Sequence, residues 1–131
     1  MATIPADLIP ALQGIIPSGL ATADADGMPN VTYISQVFQV DDEHVATSRQ
    51  FFNKTGRNLQ ANPRACTVLI NPADGSYWRL DLRHLRTETE GDLFDEMEMQ
   101  LEAIASMQSM EDTFVLAAAD VYHVEGVAKL T

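Results

Sequence analysis

Residues 46–63 read A-T-S-R-Q-F-F-N-K-T-G-R-N-L-Q-A-N-P, and they change backbone habit in the middle. The stretch begins as a strand, with Val45 and Ala46 apolar and Thr47 and Ser48 small hydroxyls. It ends as a short helix. Asn53 is a good N-cap, Lys54 to Ala61 fill about two turns, and Pro63 stops them. A strand feeding a helix start leaves backbone N–H groups without partners, aimed at one place, and the helix dipole adds partial positive charge there. Lys54 and Thr55 add an ammonium and a hydroxyl in that first turn. The arrangement suits a phosphate.

The charges sharpen this reading. The chain has 131 residues, eight Lys+Arg against nineteen Asp+Glu, and a formal net charge of −11. Four of the eight cations, Arg49, Lys54, Arg57 and Arg64, fall in this stretch or at its edge. Arg79, Arg83 and Arg86 form a second group, and only Lys129 lies elsewhere. An acidic protein that confines its cations to two segments is placing them for an anion, or else in surface ion pairs worth little. Charge alone leaves the two readings even.

Composition bounds the rest. The length and an apolar content of 46% fit one globular domain with a single core. The acidic balance argues against a nucleic-acid-wrapping face and against an anionic membrane surface. The lone Cys66 allows no internal disulfide and reads as a buried small hydrophobe. The opening M-A-T-I-P-A-D lacks the features of a signal peptide, and no apolar run is long enough to span a bilayer. The expected location is cytoplasmic.

Helical spacing of Leu8, Ile9, Leu12 and Ile16 predicts a helix over 4–16, with Pro10 in its first turn, Asp7 as cap and Gly14 as breaker. Strands are predicted over 19–23, 28–40 (bent) and 44–48, with Asp24-Ala25-Asp26-Gly27 and Asp41-Asp42-Glu43 as turns. After the short helix comes a buried strand over 65–71, a hairpin turn at Pro72-Ala73-Asp74-Gly75, and a long strand over 77–90. On the latter Trp78, Leu80 and Leu82 share one face, with Arg79, Asp81 and Arg83 opposite. The alternation slips at Leu85, which a β-bulge near His84 would explain. A helix over 92–109 follows, placing Leu93, Phe94, Met97, Leu101, Ile104 and Gln108 at helical spacing, and residues 113–130 supply the last strand material. Strands joined by tight turns are antiparallel neighbours, and a barrel hides their edges. The expected fold is mainly β with helices, a six-or-so-stranded antiparallel split barrel in one domain over 1–131.

The segments G-x-P-N-V-T-Y-I-S-Q at 27–36 and R-Q-F-F-N-K-T-G-R-N-L at 49–59, followed by Asn62-Pro63, resemble the pyridoxamine 5′-phosphate oxidase-like family, the FMN-binding split barrels. The element order agrees over essentially the whole chain. The resemblance implies a homodimer with FMN in a groove between two barrels. It places Lys54, Thr55 and Arg49 on the flavin phosphate and Thr47 and Ser48 beside the isoalloxazine ring. Tyr33, Ile34 and Ser35 would approach the ring edge, with Gln36 able to hydrogen-bond it. The partner subunit would contribute from the region of Trp78, Arg79 and Arg83. The family's oxidases carry an Arg and a Lys on the second strand, where Val31 and Gln36 stand here. Their substrate-gripping tail motif has no counterpart before Thr131. Pyridoxamine phosphate is therefore not the expected substrate.

The implied activity is a flavin-dependent oxidoreductase on a small molecule, because the flavin carries the redox chemistry and needs no triad. The alternative is a ligand-sensing dimerisation module, with haem or deazaflavin as other ligands. Residues 79–97 are similar to a subgroup in which this domain precedes signalling modules, so the chain reads either as a minimal protein or as the N-terminal part of a longer signalling protein. No metal-ligand spacing is present, and the three histidines stand in three separate strands, with His84 the best placed for a function.

Overall fold

The computed structural model describes residues 3–12, 16–34, 36–49, 53–107 and 118–131. Seven strands form one antiparallel sheet. In chain order they are β1 (Ser18–Ala23), β2 (Pro29–Ile34), β3 (Val37–Gln39), β4 (His44–Arg49), β5 (Arg64–Ile70), β6 (Tyr77–Glu88) and β7 (Ala118–Lys129). Helix α1 (Asn53–Ala61) lies between β4 and β5, and helix α2 (Asp92–Met107) between β6 and β7. The strand order is β2-β1-β5-β6-β7-β4-β3.

That order makes the sheet curl. Its two edge strands, β2 and β3, are consecutive in the chain, and Ile34 ends one just before Val37 begins the other. Three residues span at most about 11 Å. The opposite edges must therefore approach each other at that corner, which is the seam of a split barrel. The single bent strand expected over 28–40 is thus two strands. Residues 29–34 pair with β1 and residues 37–39 with β4. Crossing between opposite edges breaks the ladder, and no local signal in I-S-Q-V marks it.

The barrel interior is apolar. Leu8, Leu20, Val45, Leu69, Leu80 and Val124 form its centre, with Leu59 of α1 packed against them. A second cluster lies outside the barrel wall, where Met97 and Leu101 of α2 cover Phe38, Ala46, Ala119 and Val121. The first half of β7 is therefore buried on both faces. Leu93 and Phe94 pack against this cluster, as their helical spacing predicts. The helix is described as far as Met107; residues 108–117, including Gln108, and the side chain of Ile104 lie outside what is described.

The N-terminal element is a 3-10 helix over Ala6–Leu12, tighter than the helix expected over 4–16, and residues 13–15 lie outside the described residues. Pro10 sits inside it, where the missing N–H removes a helical hydrogen bond. Leu8 and Leu12 are buried as expected. Gly14 lies outside the described residues, and Ile16 is a bend beyond the helix.

Strand β5 alternates between buried and outward positions, with Val68 40% exposed. It is buried on one face only, so its apolar run overstated its burial. Cys66 follows the same alternation. It lies on the outer face opposite Asp81, half-buried rather than in the core. Burial raises its thiol pKa most, and the neighbouring Asp81 carboxylate adds to the rise.

The expected bulge is present. The β6–β7 register shifts between His84 and Arg86, and again between Asp81 and Leu82. The expected faces of β6 hold, with Trp78, Leu80 and Leu82 buried and Arg79 and Arg83 outward. The turn at 72–75 closes with Gly75 at φ +73°, a left-handed conformation natural to glycine.

Candidate functional site

The end of β4 and the start of α1 form the candidate site. Only three residues separate Arg49 from Asn53, so the two ends lie within about 14 Å. Residues 50–52, including Phe51 and Phe52, are outside the described residues, as are the side chains of Arg49 and Asn53.

Helix α1 is held firmly. Leu59 is buried in the barrel core. Asn58 Nδ2 donates to Thr22 Oγ1 on β1 at 3.1 Å. The helix ends where Asn62 N–H bonds the Asn58 carbonyl at 2.7 Å, and Pro63 follows. An anchored helix aims its N-terminal amides in a fixed direction.

In its first turn Lys54 is exposed and Thr55 is buried. Thr55 Oγ1 is inaccessible to solvent and has no hydrogen-bond partner among the described residues. Leaving a buried hydroxyl unpaired costs about 1–3 kcal/mol. Together with the helix N-terminus, it supplies a second donor suited to an anionic oxygen, so the residues present fit a phosphate group.

Thr47 and Ser48 are both buried at the end of β4. Thr47 Oγ1 is already paired with Tyr122 OH, at 2.8 Å. Tyr122 is fully buried, and the His84 ring meets it edge-on at 5.6 Å. Beyond it His84 Nε2 lies 3.0 Å from Asp120 Oδ1, and Thr87 Oγ1 donates to the same oxygen at 2.7 Å. Asp120 stands opposite Thr47 on one side and Thr87 on the other, so a buried carboxylate lies beneath the end of β4.

This network was not foreseen. Its only signal in the sequence is that Asp120 and Tyr122 interrupt an apolar run. Although Thr87, His84 and Asp120 come together, they are not a nucleophilic triad. One histidine nitrogen faces both neighbours, at 3.0 and 3.2 Å, and Thr87 gives its proton to Asp120 directly. A relay needs the base and its orienting acid on different ring nitrogens. Bracing β4 is what this arrangement can do.

The other expected residues are dispersed. Tyr33 points outward from edge strand β2 and is 84% exposed, whereas Ile34 is in the core. Ser35 lies outside the described residues. Gln36 turns inward, where its Nε2 donates to the Leu12 carbonyl at 2.8 Å and its Oε1 is buried without a partner among the described residues. Trp78 is a core residue whose Nε1 donates to Ser76 Oγ at 2.9 Å. Arg79 and Arg83 stand on the outer face, Arg79 Nε 3.3 Å from Asp81 and Arg83 Nη1 4.0 Å from Glu125. His44 and His123 approach each other across β4 and β7, with ring centroids 5.2 Å apart. No group of His, Cys, Asp and Glu among the described residues could hold a metal ion. No helix among them is long and apolar enough to cross a membrane.

Comparison with known proteins agrees with this architecture. No curated protein matches the sequence. An FMN-binding protein from Syntrophomonas wolfei subsp. wolfei is 19% identical, with a TM-score of 0.77 over 95% of this chain and 86% of that one. An F420 reductase is 16% identical, with a TM-score of 0.71 over 95% and 98% of the two chains. HutZ, the haem storage protein of Vibrio cholerae, is 18% identical, with a TM-score of 0.63 over 98% and 95%. At these identities the likeness is one of fold. The family model described as pyridoxamine 5′-phosphate oxidase matches residues 11–125, nearly the whole barrel, and the chain therefore belongs to the pyridoxamine 5′-phosphate oxidase family.

Proposed function

We propose that the chain binds FMN as a homodimer and serves as a flavin-dependent oxidoreductase for a small molecule. The observation that carries this reading is the unpaired, buried hydroxyl of Thr55 in the first turn of an anchored helix. The flavin phosphate takes that hydroxyl, the N-terminal amides of α1, and the charges of Lys54 and Arg49. Thr47 and Ser48 border the ring, and Thr47 is held in place by Tyr122. The bound flavin supplies the electron-transfer chemistry, and the protein supplies position and electrostatics.

A second copy is favoured by the outer face of the sheet. Val31 and Tyr33 on β2, Val68 on β5 and Tyr77 on β6 are large apolar residues exposed on that face. They sit on neighbouring strands, since Tyr33 lies opposite Gly19, Gly19 opposite Val68, and Val68 opposite Arg79. An apolar face of this kind marks a contact surface. The partner's Arg79 completes the cofactor groove in this reading.

The ligands named for similar folds are of three kinds, so the first experiment is spectral. Freshly purified protein is scanned for absorbance, and whatever it releases is weighed by mass spectrometry. FMN is the expected product. A haem or deazaflavin spectrum would replace the cofactor and leave the fold assignment intact. Absence of any chromophore, together with no FMN uptake on titration, would end the proposal. Reduction of the bound flavin by NAD(P)H with steady turnover then separates an oxidoreductase from a ligand-sensing module. Sedimentation alongside the titration tests the dimer, because a shared groove requires weak binding in a monomer.

A further inference from the structure

A groove of about 610 Å³ opens on the outer face of β5, β6 and β7, lined by Pro63, Arg64, Asp81, Arg83 and Glu125 among others. Its size is in the range of small-molecule clefts. Arg64 and Arg83 are direct cross-strand partners in the β5–β6 ladder. Their Cβ atoms are therefore about 5 Å apart, and like charges directly opposite each other are destabilising. In a chain of net charge −11, this is an unusual place to set two of eight cations.

The groove's carboxylates do not resolve the repulsion. Asp81 pairs with Arg79 on its own strand at 3.3 Å. It lies over Gly126, where an added Cβ would come within 3.0 Å of Asp81 Oδ2. Glu125 Oε2 is held at 3.0 Å by His123 Nδ1, and its other oxygen only approaches Arg83, at 4.0 Å. Arg64 has no ion pair among the described residues, and its backbone N–H is tied to Asn62 Oδ1. Two guanidinium forks thus face one cleft with one of them unmatched. Guanidinium groups bind paired anionic oxygens bidentately.

We infer that this groove is a second anion site, which takes the phosphate or carboxylate end of a small molecule between Arg64 and Arg83. It is distinct from the cradle at the start of α1, since it lies beyond the other end of that helix. The inference does not depend on which cofactor the cradle takes.

The test uses the full chain, isotope-labelled for NMR, titrated with pyrophosphate and in parallel with citrate at constant ionic strength. Saturable shifts at residues 63–65, 81–83 and 125 are expected, along with the Nε–H signals of Arg64 and Arg83. The stronger of the two titrations identifies the anion class. Arg64→Ala should lower the affinity at least tenfold, and Arg64→Lys, which keeps charge and loses the fork, by less. If the two arginines repel, Arg64→Ala also raises the melting temperature in anion-free buffer, and pyrophosphate stabilises only the parent protein. The inference fails if shifts never saturate, or if they appear only at residues 53–55. It also fails if Arg64→Ala lowers the melting temperature with affinity intact, which is the behaviour of a structural arginine. Loss of the dimer in that variant, with no pyrophosphate effect in the parent, would hand the groove to a second copy instead. Loss of FMN binding in Lys54→Ala/Thr55→Ala should leave the groove titration unchanged, so the two sites succeed or fail separately.

Discussion

In the two proposals above, the start of α1 and the groove on β5–β7 take anions by different physics. At α1 the donors are backbone amides and a buried hydroxyl held by an anchored helix. Their geometry is set before any ligand arrives, and burial keeps the interaction strong. In the groove the donors are two exposed guanidinium groups on flexible stems. Their charge is larger, but water and salt screen it. A buried helix start therefore suits a tightly kept group, and an exposed arginine pair suits one that comes and goes.

The largest effect is expected from Lys54→Ala/Thr55→Ala. Two charge-assisted contacts at about 1.5–3 kcal/mol each would cost FMN about 100-fold or more in affinity. Isothermal titration measures it, with circular dichroism confirming the fold. Unchanged affinity would remove the cradle from the binding site.

A sharper test sets Thr55→Val against Thr47→Val. Both remove a buried hydroxyl, but only Thr47 already has a partner, Tyr122 OH. Thr55→Val should leave the cofactor-free protein as stable or about 1 kcal/mol more stable, while weakening FMN about tenfold. Thr47→Val should lose about 1 kcal/mol of stability, because Tyr122 is left with one bond fewer. Denaturant melts of the cofactor-free proteins decide between these signs.

Salt separates the two regions next. Raising ionic strength from about 0.05 to 0.5 M shortens the screening length severalfold. Pyrophosphate binding at the groove should weaken markedly, and FMN binding at the cradle only slightly.

The smallest effect concerns Cys66, which lies opposite the groove residue Asp81 in the β5–β6 ladder. Burial first, and then the Asp81 carboxylate, push its thiol pKa up. The thiolate is the reactive form, so alkylation near pH 8 should run slower than for a free cysteine and speed up as pH rises. Asp81→Asn removes the lesser cause and should speed the reaction modestly. A faster reaction in the parent than in free cysteine would contradict that local field.

Much of the barrel was legible in short stretches. The stop of the short helix before residue 63 rests on Pro63. The two faces of β6 rest on strict alternation, and the bulge on the slip at Leu85. Each is decided by residues a few positions apart, through hydrogen-bonding habit and side-chain period. The partner of Thr47 and the isolation of Arg64 were not legible, because Tyr122 and Arg83 are distant in sequence and depend on strand register. Gln36 shows the same limit. The family resemblance suggested a flavin contact for it, and only the packing of the N-terminal helix brought the Leu12 carbonyl to it.

The sequence alone determined where the chain turns, which side chains alternate, and that cations gather in two segments. Those properties follow from backbone sterics and composition within one element. Tertiary structure alone decided that residues 28–40 divide between opposite edges of the sheet. It also decided that Thr55 is buried without a partner among the described residues while Thr47 has one, and that Arg64 meets Arg83. These depend on how strands slide and curl against one another, and the closing of the barrel sets that only when all seven are in place.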